Sequence, residues 1–400
     1  MTTLNPSDVL PSALNAGFVE KKAVDAKAIT NPKFTIRLAV EDDNQQLCDL
    51  ARRCPVKGSL EVYTDRYPDF FATNRVQGEH AHIYVVESSP GVIVGCAAFT
   101  EKKERRGDKD ITVLHIGDLR SDPSHRRGRI AAQLVGTYFE MVRTGPYDHG
   151  VVEILEGNKG GGSLNRLIPD ELALVPEGKM NFYQLVPIRS YRISKSYHYR
   201  QATREDFPAI ISIFESCYGD APGAPHFTVS WLEQQLSIDP SFTVSDLWVA
   251  ADSQNQALAM VGLWDQSSFR RTVATKFNRG VKSVVRFMAM VGLIWKLPPI
   301  PREGQALAYV FGRWPIAKPE NRDALANLSR FLVNRVHKDR KHQFLSIGFH
   351  ERDPLAQSLE GITKVQEKFE IFTHWRKDSE GFKELSQRPD GKRFVELSLI

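Results

Sequence analysis

The sequence predicts an α/β protein made of two tandem mixed-sheet domains with flanking helices. Three observations carry that expectation. Four hundred residues are too many for one ordinary core, so two domains of roughly 150–200 residues are the starting point. Apolar residues alternate with the two-residue period of strands, then recur at the four-residue steps of a helix, in strand–helix–strand order. The opening also repeats: "YRQATREDFPAIISIFESC", Tyr199 to Cys217, aligns without gaps on "IRLAVEDDNQQLCDLARRC", Ile36 to Cys54. Arg37 meets Arg200, Ala39 meets Ala202, Asp43 meets Asp206 and Cys54 meets Cys217, the pattern of a tandem duplication.

In chain order, residues 1–33 lack sustained periodicity and read as an extension. The first domain is expected over 34–195. "FTIRLAV" is strand-like, and "DDNQQLCDLARRC" starts a helix at an Asp cap with Leu47, Leu50 and Ala51 on one face. "HIYVVESS" and "VIVGCAAFTEK" are β-rich runs joined by Pro90-Gly91, a hairpin signal. Strand "ITVLHIGDLR" precedes a helix carrying Ile130, Leu134, Tyr138 and Val142 at successive four-residue steps, followed by strand "GVVEIL". The second domain, 196–400, repeats the order with "LWVAADS", "ALAMVGLWDQ" (Gly262 set against Gly95), "ALAYVFGRWPIA", helix "PENRDALANLSRFLVNRVHK", "QFLSIGF" and "VQEKFEIFTHW". A segment at 278–305 is inserted.

Composition sets bounds on function. A charge of +5 over this length does not point to nucleic acid and fits a binder of small anions equally well. No apolar run approaches the ~20 residues of a membrane span; the nearest, Ser283 to Trp295, is short and contains Arg286. Four sparse cysteines in apolar surroundings predict reduced thiols, and no basic–apolar leader opens the chain, so a cytoplasmic location is expected. The histidines are scattered and no Cys-x-x-Cys occurs, so no metal is expected. "EGNKGGG" lacks the Gly-Lys-Ser/Thr of a Walker loop.

The informative stretch is "DLRSDPSHRRGRIAAQLV", Asp118 to Val135, where an apolar strand hands over to an apolar helix through a basic turn. The first amides of a helix have no intrahelical partner and carry the positive end of the macrodipole. A short basic loop ahead of them makes a site for phosphate. Arg126, Arg127 and Arg129 add charge, and Gly128, Ala131 and Ala132 allow close approach. A solvated, ligand-free basic helix start is the competing reading.

The element order and this turn resemble the GNAT superfamily of acyl-CoA-dependent N-acyltransferases, whose signature is Arg/Gln-x-x-Gly-x-Gly/Ala at the start of the helix after the fourth strand. Here it reads Arg126-Arg127-Gly128-Arg129-Ile130-Ala131. The match spans about 34–195, with a degenerate copy over about 198–377. One departure is Arg129 at the family's middle glycine, where its side chain either crowds a pyrophosphate or swings out to pair with it. The resemblance implies acetyl-CoA as co-substrate, its pyrophosphate on the amides of Arg126 to Ala131 and its pantetheine arm along Leu119, Arg120 and Ser121. It also implies that the Leu119 N–H polarises the thioester carbonyl. Asn158 matches an asparagine the family places near pantetheine, or is a plain loop residue.

Acyl transfer requires a neutral amine, so a base is sought. His115 lies where some family members carry a glutamate base. Counting the two-residue alternation from Leu119 favours His115 over Asp118 as the group facing the cleft; a sheet histidine bonded to a neighbour is the alternative. The family's tyrosine acid falls on Asn165, with Tyr183 a substitute from a nearby strand or simply a core residue. In the second copy the matching turn, "WPIAKPENRDALANL", has no glycine and places Glu320 and Asp323 where phosphate would be repelled, so coenzyme binding is expected to be lost there and the copy to shape the acceptor pocket. The insertion reads as core packing, a lid, or a membrane-facing helix.

The resulting expectation is an N-acetyltransferase acting on a small-molecule or peptide amine through the first copy, with no nucleic-acid or membrane partner and a homodimer allowed. The alternatives are a non-catalytic acyl-CoA binder and a ligand-free scaffold.

Overall fold

Strand β1 (Thr35–Leu38) leads through an acidic turn into helix α1 (Asn44–Arg53). Asp43 sets that start: its carboxylate accepts the Val40 amide at 2.8 Å and two Arg37 nitrogens at 2.6 and 2.8 Å. The helix buries Leu47, Leu50 and Ala51, as their spacing predicts, together with Cys48. The first half continues with β2 (Val56–Lys57), β3 (Leu60–Asp65), α2 (Ala72–Gln77), β4 (His80–Ser89), β5 (Val92–Arg106) and β6 (Lys109–Ser121). A 3-10 turn, Pro123–Gly128, precedes α3 (Ile130–Thr144), β7 (His149–Leu155) and β8 (Leu172–Leu185).

The second half holds β9 (His198–Gln201), α4 (Phe207–Tyr218), α5 (Val229–Ile238), β10 (Leu247–Ala251), β11 (Ala257–Trp264) and β12 (Arg271–Phe277). Then come β13 (Ala306–Leu307), β14 (Tyr309–Ala317), α6 (Arg322–Asp339), β15 (Phe344–His350), β16 (Lys364–Arg376) and α7 (Glu380–Glu384). This computed structural model describes residues 33–57, 60–78, 80–158, 162, 165–277, 302–385 and 391–399; the expectations for residues 1–32 and for Ser283–Trp295 lie outside them. Among the described residues no helix is long and apolar enough to cross a membrane.

The chain packs as two units that are discontinuous in sequence. One comprises residues 1–54, 77–180 and 368–393, the other 55–76, 181–367 and 394–400. The sequence repeat divides the chain into two continuous stretches at 195/196; the packing units exchange the segments 55–76, 181–195 and 368–393 across that boundary. In the first unit the strand order is β1–β4–β5–β6–β7–β16–β8. Its β7 pairs antiparallel with β16, from Leu155 opposite Phe369 to His149 opposite Trp375. Helix α3 lies on one face, where Ile130, Leu134, Tyr138 and Val142 pack on Val94, Leu114 and Ile116. Gly95 permits this seating, since a Cβ there would stand 2.2 Å from the Ile130 side chain.

In the second unit the order is β15–β14–β11–β10–β9, with a separate four-stranded sheet β13–β12–β3–β2. Its core has α4 and α5 on one face and α6 on the other. The repeated residues repeat their bonds. Arg200 holds Asp206 at 2.7 and 2.8 Å, and Asp206 accepts the Thr203 amide at 2.8 Å, as Arg37, Asp43 and Val40 do in the first unit. The Cys54 thiol donates to the Ser121 carbonyl at 3.4 Å and Cys217 to the Ala317 carbonyl at 3.0 Å. One equivalence changes: Gly95 lies opposite Ser121 and Ala259 opposite Ala317, so Ala259, not Gly262, occupies the place of Gly95.

Candidate acyl-transfer site

Strands β6 and β7 run parallel but are paired only at Leu114–Gly150 and His115–Val151. Beyond those pairs the strands part, and β6 bends. Asp118 has the left-handed φ of 51°, and the β5–β6 register skips between Cys96 and Ala98, so Ala97 faces both Asp118 and Leu119. Such a bulge takes residues out of the ladder and re-aims the strand. The Asp118 carboxylate accepts from Arg120 at 3.1 Å, and its carbonyl accepts the Cys96 thiol at 3.7 Å. Asp118 is therefore engaged in holding the bend.

The bulge also overturns the alternation count made from sequence. Leu114 and Ile116 belong to the cluster under α3, and Leu119 packs against that same cluster, whereas His115 lies on the opposite face. One extra residue in the strand reverses the parity beyond it. His115 is thus not selected by sharing Leu119's side.

After β6, Asp122 organises the turn. Its side chain accepts Ser124 N at 3.0 Å, Ser124 Oγ at 2.6 Å and Arg53 Nε at 2.9 Å, and Arg53 and Ser124 hold its carboxyl below the usual carboxylate range against the opposing effect of burial. The backbone of Arg126, Arg127 and Gly128 completes the 3-10 turn. Arg129 follows with φ 55° and ψ 32° and an exposed side chain. That left-handed conformation suits glycine, which accounts physically for a glycine preference at this place. The first i→i−4 bond of α3 runs from Gln133 N to Arg129 O, which leaves the amides of Ile130, Ala131 and Ala132 without intrahelical partners at the positive end of the helix. Ile130 and Ala132 turn their side chains into the core, so their contribution toward a phosphate is their backbone.

His115 is 4% exposed, and its Nε2 bonds to a carboxylate oxygen of Glu153 on β7. Burial would push the Glu153 carboxyl up, but the charge of the His115 ring when protonated and its hydrogen bond, helped by Lys102 and Arg393, bring it down to about 2. Among the described residues the other ring nitrogen, Nδ1, makes no hydrogen bond. It lies beside Gly117, where a Cβ would be 3.8 Å away. In the neutral ring with Nε2–H donated to the carboxylate, Nδ1 is the unprotonated nitrogen, and it lies beside Gly117, next to the bulge. This is the arrangement by which an acid fixes a histidine tautomer and leaves the second nitrogen to accept a proton.

The second unit builds the same bend with other residues. Trp314 takes the left-handed φ of 51°, and the register skips between Met260 and Gly262. Here Phe311 stands for His115, Arg313 for Gly117, Pro315 for Leu119 and Gly348 for Glu153. Pro315 has no N–H. Arg313 is 2% exposed, bonds Glu396 and Gln235, and lies over the rings of Trp314, Trp264 and Phe242 at 4.1, 4.7 and 5.2 Å. Strands β14 and β15 stay paired over four positions, Tyr309–Phe344 to Gly312–Ile347. In the first turn of α6, Asp323 accepts from Tyr197 and Asn327, both at 3.1 Å.

The structure thus gathers His115, Asp118, Leu119, Arg120, Ser121 and the turn through Ala132 onto one strand–turn–helix. Asn158 lies exposed in the turn after β7, where its amide bonds Leu155 O. Asn165 opens a short turn, Asn165–Leu167. Tyr183 is packed in the core of the second unit, where burial raises its phenol. Sequence reasoning missed Glu153, although an acid within the apolar strand "GVVEIL" is itself a signal. It also missed Arg393, for which no local pattern gives a cue.

Residues 44–152 match the family model described as the Acetyltransferase (GNAT) family. No curated protein matches the chain by sequence. Among solved structures, Saccharomyces cerevisiae N-myristoyltransferase with bound myristoyl-CoA is similar at a TM-score of 0.57 and 11% identity, over 90% of this chain and 89% of that one. A GCN5-related glucosamine N-acetyltransferase region of a fungal multi-domain GH3 β-N-acetylglucosaminidase is similar at 0.55 and 12%, over 87% of this chain and 38% of that one.

Proposed function

The chain carries the GNAT acyltransferase fold, and from that premise we propose that it is an acyl-CoA-dependent N-acyltransferase. In this reading it uses acetyl-CoA, acylates the amine of a small molecule or peptide, and does so through the first unit. The observation that carries the reading is the His115–Glu153 pair, whose open Nδ1 faces the bulge that carries the Leu119 N–H. The pyrophosphate would rest on the free amides at the start of α3 under the charge of the Arg126–Arg129 turn, the pantetheine arm along Leu119 to Ser121. The amine nitrogen attacks the thioester carbonyl carbon, forming the C–N bond, while the Leu119 N–H stabilises the developing oxyanion. His115 Nδ1 takes the amine proton, and the C–S bond breaks to release coenzyme A thiolate. That thiolate is a tolerable leaving group, so no side chain is assigned as acid.

Calorimetric titration with acetyl-CoA, beside an Arg127→Glu, Ala131→Asp double variant, tests the binding part. One saturable site per chain, lost in the variant, is the expected result; absence of binding by well-folded protein sinks the reading. Myristoyl-CoA serves as the second titrant, because the N-myristoyltransferase likeness makes chain length an open choice. His115→Ala then lowers turnover with binding intact. A second reading, an acyl-CoA binder that transfers nothing, draws support from Arg129 in the family's glycine place. It predicts binding without product for every amine in a screen.

A further inference from the structure

Gly117 differs from the other glycines that lie inside described strands. Gly95, Gly150, Gly262, Gly312 and Gly348 are each demanded by packing, since a Cβ there would lie between 2.1 and 2.9 Å from a neighbouring atom. Gly178 has the left-handed φ of 91°. Gly117 has neither reason. Its φ lies outside the left-handed region, and an added Cβ would meet only the His115 ring among the described residues beyond its chain neighbours, Cε1 at 3.5 Å and Nδ1 at 3.8 Å. Those are ordinary van der Waals distances. Glycine inside a strand weakens the strand, and where the fold does not require it, it marks a place where a ligand comes close to the backbone. Gly117 is half-buried, whereas His115 beside it is 4% exposed, so solvent reaches the glycine and scarcely the ring.

The second copy fills the same place. Register sets Gly117 opposite Ala98 and His115 opposite Thr100, as it sets Arg313 opposite Gly262 and Phe311 opposite Trp264. Gly117, His115, Thr100 and Asp118 of one copy thus answer to Arg313, Phe311, Trp264 and Trp314 of the other. Each of the four is smaller in the first copy. Where the second sends out a long side chain that lies over the Trp314 and Trp264 rings, the first has only a hydrogen atom beside the imidazole.

We propose that the space where a Gly117 side chain would stand is the seat of the acceptor's reacting amine, which makes Gly117 a specificity-determining residue for the transfer. This rests on the reading of His115 as base. A base must come within hydrogen-bond reach of the proton it takes, and an atom carried on Gly117 lies beside Nδ1. A nitrogen seated there has the Leu119 N–H two residues along the same strand, so base, nucleophile and oxyanion donor fall within one short stretch.

Gly117→Cys in the full-length chain puts a nucleophile on that seat without any need for the natural amine. In acetyl-CoA, the introduced thiol attacks the thioester carbonyl carbon. A new C–S bond forms to the protein, the C–S bond to coenzyme A breaks, and the thiol proton passes through His115 Nδ1 to the departing thiolate. Intact-mass spectrometry with peptide mapping reads the outcome. One acetyl group per chain at position 117 is expected, with none in wild-type protein, whose four native thiols serve as controls. Adding His115→Ala slows the reaction about tenfold or more, because an unassisted thiol is only about a few per cent thiolate at neutral pH. A folded Gly117→Cys protein that binds acetyl-CoA and stays unacetylated overturns the proposal. So does a loss of acetyl-CoA affinity of about tenfold or more in Gly117→Ala, which assigns the space to the acyl group and serves should the cysteine variant not fold. Acetylation at full rate in the double variant keeps the seat and removes the base, so the two readings fail separately.

Discussion

At the bulge of β6, bent about left-handed Asp118, the chain presents the Leu119 amide; at the bulge of β14, bent about left-handed Trp314, it presents the ring of Pro315. The contrast runs through the neighbouring positions. His115 gives way to Phe311, Gly117 to Arg313 clamped among three rings, and Glu153 to Gly348, where an added Cβ would stand 2.8 Å from the Leu397 side chain. What both copies keep is the frame: the Arg–Asp clasp at the first helix, the cysteine bonded to the end of the bulged strand, and the bend itself. Under the proposed function the second copy keeps this scaffold without the chemistry, because the groups that hold the bend are not those assigned to the substrate.

Importing single features of one copy into the other sharpens that contrast. Leu119→Pro copies the second bulge into the first and removes one N–H where a proline is already tolerated. Turnover falls by about 10²–10³-fold with acyl-CoA affinity kept, the usual result of deleting one oxyanion donor; steady-state kinetics beside calorimetry check it. The two clasps should differ in depth. Arg37 also holds Glu87, whereas Arg200 falls back on neutral Asn255. Asp206→Asn therefore costs about 1.5–3 kcal/mol in urea unfolding, as for charged hydrogen bonds, and Asp43→Asn measurably less. Arg37 and Arg200 each draw their aspartate below the ordinary carboxylate range, with burial opposing. A carboxylate depressed in the folded state adds stability above its unfolded pKa and loses it as pH falls toward the folded one, so both wild-type contributions fade in acid. Equal costs at neutral pH would break the distinction.

A smaller effect is expected at Arg129. Arg129→Gly relieves a left-handed side-chain residue and raises stability by about 1 kcal/mol, partly offset by glycine's unfolded-state freedom. Acyl-CoA binding is retained if the arginine only crowds the pyrophosphate and weakens if it pairs with it. Least of all, Cys54→Ala and Cys217→Ala each cost about 0.5–1 kcal/mol, since a thiol is a weak donor. A large difference between the two would argue against equivalent frames.

Periodicity was enough to read α1, α3 and α6 and the strands beside them, because burial of one face imposes a spacing that composition alone cannot hide; α2, α5, β2, β3, β12 and β13 went unread. The repeat was legible for the same reason: Arg37, Asp43 and Cys54 recur at fixed distance with their partners. The bulge was not legible. Nothing in "HIGDLRS" announces that Asp118 takes a left-handed turn, and that one residue reversed the side on which Leu119 falls relative to His115. The Gly95–Gly262 match failed similarly, since identical residue types are a weaker guide than the register they lie in. Glu153 could have been found from its strand; Arg393 could not, because its partner Glu104 lies 289 residues away in sequence and no local pattern records the pairing.

The pairing of β7 with β16 also bears on how the protein is made. Most of the first unit precedes the second unit's elements in the chain, yet the strand that closes β7 follows them, so it leaves the ribosome only after most of the second unit has been made. Until then the β7 edge stands open, a template for wrong pairing. A premature stop just before Lys364 would therefore damage the first unit as well as the second, and production of the first half as a separate fragment would yield a sheet with an uncovered seam.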